Sequence, residues 1–223
     1  MTLHEDEDST AWIAREAARL VVDSGLEYDA AKKKAAKTLG RRGASRAQLP
    51  SNEAVEDEVR EHLTLFCADT QPAELATLRQ LALTVMERLT VFRPHLAGAV
   101  WRGTATRLSA IVIDLYCDDP KSVEIELLNQ GVAYDVDSGP SGPSGATWDV
   151  LTLSLPCPAW HQRVPVHLVI HDFDDLRGAL RPDSRGRSWR GDLARLQQTM
   201  GANNAQPLKE PTQPPTQEQR HEP

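Results

Sequence analysis

The segment Leu96–Asp119, LAGAVWRGTATRLSAIVIDLYCDD, leaves this chain few ways to fold. A short apolar run ends at Gly98-Ala99, and a loop carries Arg102-Gly103-Thr104. A second run follows, Ser109-Ala110-Ile111-Val112-Ile113-Asp114-Leu115-Tyr116. Its β-branched side chains lose freedom in a helix and pack well on a pleated surface, so it is read as a strand. Alternation puts Ile111, Ile113 and Leu115 on one face and Ala110, Val112, Asp114 and Tyr116 on the other. A strand over 96–101, a small-residue turn and a strand over 109–116, entered from a helix, outline a phosphate-binding turn. The two strands are expected to be neighbours in one sheet.

Upstream of this segment the pattern is helical. Residues 1–9 are acidic and read as disordered. Ser9 or Thr10 is a candidate cap for a helix with Trp12, Ile13, Ala17, Leu20 and Val21 on one face, stopped at Gly25. A second helix spans Asp29 to Leu39 and ends at Gly40. Ser51 caps a third, with Val55, Val59, Leu63 and Phe66 on its apolar stripe and Glu53, Glu56, Asp57, Glu58 and Glu61 on an acidic face. Pro72 opens a fourth, whose apolar face is Leu75, Leu78, Leu81, Ala82, Val85, Met86 and Leu89. Residues 10–93 therefore form a helical N-terminal region.

Downstream, a short helix begins after Asp118-Asp119-Pro120 and carries Val123, Ile125, Leu127 and Leu128 before Gly131. Strands are read at 132–136, 148–155 and 164–171, with a Gly- and Pro-rich loop at 139–145 and a helix within 187–200. The fold class is α+β: a helical N-terminal part, then a mixed sheet of about five strands over 94–200 with helices on one face. The Pro- and Gln-rich tail, 201–223, reads as disordered.

The chain of 223 residues carries a net charge of -7, which argues against wholesale coating of nucleic acid but permits a local basic patch. Lys32, Lys33, Lys34 and Lys37, followed by Arg41, Arg42 and Arg46, form the strongest basic run. It reads either as a solvated helix face whose cations suit the helix C-terminus, or as a nucleic-acid-binding face for RNA or a polyphosphate. The three cysteines are scattered with no Cys-x-x-Cys pair, so neither a zinc site nor a disulfide framework is expected. An acidic start and the lack of a long apolar run point to a cytoplasmic protein with no membrane partner. There is no G-x-x-x-x-G-K-[ST] motif.

The order of elements, together with Gly98 and Arg102 at the turn, resembles the core of the polymerase-β-like nucleotidyltransferases over roughly residues 95–172. In that family a Gly-Ser turn cradles phosphates and an Asp-x-Asp strand follows, gripping two metal ions that polarise the α-phosphate. Matched residue by residue, Gly98 fits the glycine, Ala99 replaces the serine, and Ala110 and Val112 stand where the paired aspartates belong. The resemblance implies phosphate contacts from Gly98, Arg102, Gly103, Thr104 and Arg107. It leaves Asp114 as the candidate catalytic and metal-binding carboxylate, with Asp149 or Asp172 as its partner from a later strand. His167 and His171 share a strand face but are expected to serve structure rather than one metal.

Three functions follow. The first is a catalytically degenerate nucleotidyltransferase-like protein that binds a nucleotide, RNA or a protein partner. The second is an active transferase using Mg²⁺ on Asp114 and a later carboxylate. The third is a structural or interaction protein.

Overall fold

Two separate groups of buried apolar side chains organise the molecule. The computed structural model describes residues 3–40, 48–138, 149–183 and 185–204. The first group is built by three helices: α1 (Leu3–Ser24), α2 (Tyr28–Thr38) and α3 (Asn52–Phe66). Helix α1 begins well before the expected cap, inside the stretch read as disordered. It ends where Gly25 takes a left-handed φ of 64°, a conformation that side-chain-bearing residues adopt at a cost. Ser51 caps α3 as the sequence indicates, its hydroxyl accepting from the Ala54 amide at 3.1 Å. Val55, Val59 and Leu63 are buried, but Phe66, the last residue of the helix, is 73% exposed. Glu56 is the larger departure: it belongs to the supposed acidic surface, yet it is fully buried.

The second group lies between a sheet and the helices laid over one face. Helix α4 (Gln71–Arg88) packs here, not with α1–α3, so the helical N-terminal region is divided between the two cores. Strand β1 (His95–Ala97) is followed by a short helix, α5 (Gly98–Arg102), and by β2 (Ile111–Tyr116). Then come α6 (Lys121–Asn129), β3 (Tyr134–Ser138), β4 (Asp149–Cys157) and β5 (Gln162–His171). The chain closes with α7 (Leu176–Ala179), β6 (Arg190–Asp192) and α8 (Leu193–Asn204). The sheet is mixed, with strand order β3-β4-β5-β2-β1-β6; β2 and β5 run parallel and every other pair antiparallel.

Register follows the apolar alternation. Leu96, Ile113, Leu168 and Leu151 lie on one rung and point at α4, α6 and α8. The opposite face carries Val112, Asp114 and Tyr116 beside His167, Val169 and His171.

The expected neighbours are indeed paired, but the first strand stops at Ala97 and residues 98–102 turn into a helix. The sixth strand, β6, lies where the sequence reads as the start of a helix. Helix α8 extends through Asn204, into the stretch read as a disordered tail; the 139–145 loop and residues 205–223 lie outside the described residues. Among the described residues, no helix is long and apolar enough to cross a membrane.

Candidate functional site

A cleft of about 430 Å³ opens where the α1–α3 unit meets the β1–α5–β2 corner of the sheet. Its floor is Gly98, Ala99, Ala110 and Val112; its walls include Leu26, Tyr28 and Trp189; Glu27, Asp29 and Asn52 stand at its side. Gly98 has a φ of 63° and lies against the Val112 side chain, where an added Cβ would sit 3.5 Å from the nearest methyl. The turn thus sets Gly98 against Val112, with Ala110 on the same cleft floor. Burial pushes the Tyr28 phenol above its usual range, which keeps a neutral hydroxyl on that wall.

Arg102 lines this cleft, but its charge is already engaged. Its Nη2 lies 2.6 Å from the Glu56 carboxylate and its Nη1 3.2 Å from Asp183, and its guanidinium stacks over the Trp189 ring at 4.3 Å. Glu56 also receives Arg60 at 2.7 Å and Arg187 at 3.3 Å. Arg60 reaches further and donates to the Arg102 carbonyl at 2.6 Å. Removing charges from water is costly, and this cluster offsets that cost by pairing each one. The expectation that Arg102 meets a phosphate is therefore corrected: the residue is a buried tie between α3, α5 and the segment before β6.

Gly103 and Thr104 are structural too. Gly103 ends α5 in a left-handed conformation, and its carbonyl accepts from the Gln71 amide at 3.1 Å. Thr104 is 1% exposed, and its amide donates to the Ala99 carbonyl at 2.9 Å. Neither presents a group to an anion in the cleft. Arg107 is exposed, with its amide held by the Glu74 carboxylate at 2.9 Å. The buried Arg79 guanidinium donates to the carbonyls of Val100 and Trp101, fastening α5 to α4.

Asp114 lies one rung further along β2, in a separate polar cluster. Its Oδ1 is 3.1 Å from His171 Nε2, and its Oδ2 is 3.1 Å from Arg190. Arg190 donates to the Tyr116 hydroxyl at 2.6 Å, while the Tyr116 and His171 rings stack at 5.2 Å. Burial, reinforced by the Asp114 charge, raises the Tyr116 phenol to about 12. Asp149 cannot join Asp114. It pairs with Ile170, which pairs with Leu115, so it leaves the sheet from the other face. Asp172 instead accepts from the Asp174 amide at 2.9 Å and caps a turn of 3₁₀ helix. His167 bonds Thr152 at 3.0 Å.

These carboxylates do not fit a two-metal centre, since Ala110 and Val112 offer no ligand atoms and Asp114 is engaged by the His171 ring and the Arg190 guanidinium. Among the described residues, no group of three or more His, Cys, Asp or Glu side chains is placed to hold a metal ion.

The basic run divides as well. Lys32 is buried and tied to Asn52 at 2.7 Å and Asp29 at 3.0 Å. Its nucleic-acid-binding role is corrected to that of a clasp between α2 and α3. Lys33, Lys34 and Lys37 are exposed; Arg41, Arg42 and Arg46 lie outside the described residues. Helix α2 packs on α1 and reaches the cleft only with its first residues, so the lysines and the Gly98–Arg107 turn do not form one basic surface.

The residues that sequence reasoning missed are Glu56, Tyr28, Asp183 and Trp189. The one available signal is that Glu56 adjoins the Val55–Val59 stripe while Arg185, Arg187 and Arg190 crowd one late segment. Comparison with known protein families and with curated proteins finds no match.

Proposed function

We propose that this chain is a nucleotidyltransferase-like protein that has lost catalysis and kept its cleft for binding. One observation carries the reading: the cleft floor beside Gly98 is apolar at Ala110 and Val112, the two positions from which a strand would present paired carboxylates. The pairing of Asp114 with His171 and Arg190 supports it, because a carboxylate so engaged is a poor ligand for Mg²⁺. In this reading a nucleotide enters by its base and ribose, against Tyr28, Leu26 and Trp189, and no phosphate is gripped through a metal. The protein works as a sensor or adaptor, not as a transferase.

The test has two arms. Incubation with radiolabelled nucleoside triphosphates and Mg²⁺ or Mn²⁺, across candidate acceptors, yields no incorporation. Equilibrium dialysis shows adenosine binding within a few-fold of ATP, with no gain from magnesium. Robust incorporation that disappears in Asp114→Ala overturns the reading, as does nucleotide binding that requires the metal.

The exposed Lys33, Lys34 and Lys37 favour a second reading, RNA held on α2 away from the cleft. Counterion release would make such binding fall steeply with salt. Changing Lys33, Lys34 and Lys37 to Gln, with the buried Lys32 left intact, abolishes it if the reading is right. A variant that binds RNA as the wild type does eliminates the idea.

A further inference from the structure

A second recess lies on the helix-covered side of the sheet, a groove of about 280 Å³ between α4, the end of α6 and β4. Leu81, Val85, Leu89, Leu127, Leu153 and Leu155 wall it. On α4, Leu81, Thr84, Val85 and Arg88 are spaced as one helical stripe, so the groove runs along the helix for about 10 Å and ends at Arg88.

Arg88 is the only charged side chain in this lining, is exposed, and has no carboxylate partner among the described residues. The other long polar group at the rim, the Gln130 amide, donates to Glu126 at 2.7 Å and is already used. An apolar trough ending in one unpaired guanidinium is complementary to an alkyl chain ending in one carboxylate. The exposed Glu87 beside it and the negative end of the α4 dipole repel added negative charge, which weighs against a polyanion.

We propose that this groove binds a medium-chain alkyl monocarboxylate, with its head on Arg88 and its chain along Leu81, Val85 and Leu155. The site is separate from the cleft, and the proposal stands whether or not the reading of the cleft does.

The full chain is titrated with hexanoate, octanoate, decanoate and 1-octanol. Each added methylene tightens carboxylate binding about fourfold until the groove is filled. Arg88→Gln weakens octanoate about tenfold and leaves 1-octanol unchanged. Thr84→Trp, at the exposed rim, blocks both ligands, and Leu155→Trp does the same from the opposite wall. The helical circular dichroism of each variant is checked against the wild type. Four results overturn the proposal: no binding at millimolar ligand, affinity independent of chain length, octanoate binding that survives both tryptophan variants, or octanoate binding indifferent to Arg88→Gln.

Discussion

Arg102 and Arg107 lie in the same link between β1 and β2, and their environments set opposite expectations. Arg102 is buried between Glu56 and Asp183, so truncating it removes a guanidinium that joins these two buried carboxylates and leaves Glu56 to Arg60 and Arg187. Arg102→Ala should cost about 3 kcal/mol of stability in urea titration. Arg107→Ala, at an exposed position, should stay within about 0.5 kcal/mol of the wild type. Equal effects would mean that the Glu56 cluster does not hold the corner. Tyr116 makes a pH prediction. Its folded pKa, about 12, lies above the ordinary phenol value of about 10, so the folded state holds the proton that the unfolded chain releases first. The stabilisation is complete below pH ~10 and is lost as pH rises through about 12. Tyr116→Phe should therefore flatten the alkaline decline of the urea midpoint. A decline as steep as that of the wild type would assign it to other groups.

At the scale of elements, Gly25 fixes how α1 meets the sheet. A Cβ there would approach the Leu108 carbonyl oxygen to 2.5 Å, in a backbone conformation that already disfavours side chains. Gly25→Ala should lower stability by more than about 1 kcal/mol, read as a fall in melting temperature. An unchanged melting temperature would mean that the two backbones are not in contact. The same elements show what the sequence made legible. The β-branched alternation in 109–116 and the 3.6-residue stripes of α1–α4 make these strands and helices readable from local pattern, although burial departs from it at Asp114, Tyr116, Glu56 and Phe66. The 98–102 helix is not readable, because Val100 and Trp101 suit a strand and it is the Gly98 conformation and the Arg79 clasp that bend them. β6 fails for a related reason: Arg190-Gly191-Asp192 has no strand signature, and its pairing is dictated by β1. At the cleft, Gly98, Ala110 and Val112 are singled out only by the resemblance to the nucleotidyltransferase pattern. The commitment of Arg102, Lys32 and Asp114 to partners 46, 20 and 57 residues away has no local signature.

At the scale of the whole molecule, the two cores are tied through charge. Glu56 meets Arg102 and Arg187, and Asp57 meets Arg185 at 2.6 Å, across a boundary that neither apolar group crosses. Glu56→Gln should therefore split unfolding into two steps, with α1–α3 exchanging amide hydrogens before the sheet does. Hydrogen exchange read separately on peptides from 10–66 and 111–171 checks this, and simultaneous exchange in the variant would show the cores coupled by other means. The position of β6 carries a consequence of its own, in the order of synthesis. Its partner β1 is made early, and every central strand leaves the ribosome before Arg190–Asp192 does. Throughout that interval the outer edge of β1 is open, a row of unsatisfied backbone groups able to recruit another nascent chain. A product ending before Arg190 keeps that edge permanently, together with an Asp114 that never receives its arginine. Premature termination late in the message is thus expected to yield aggregates, not a shortened but soluble protein.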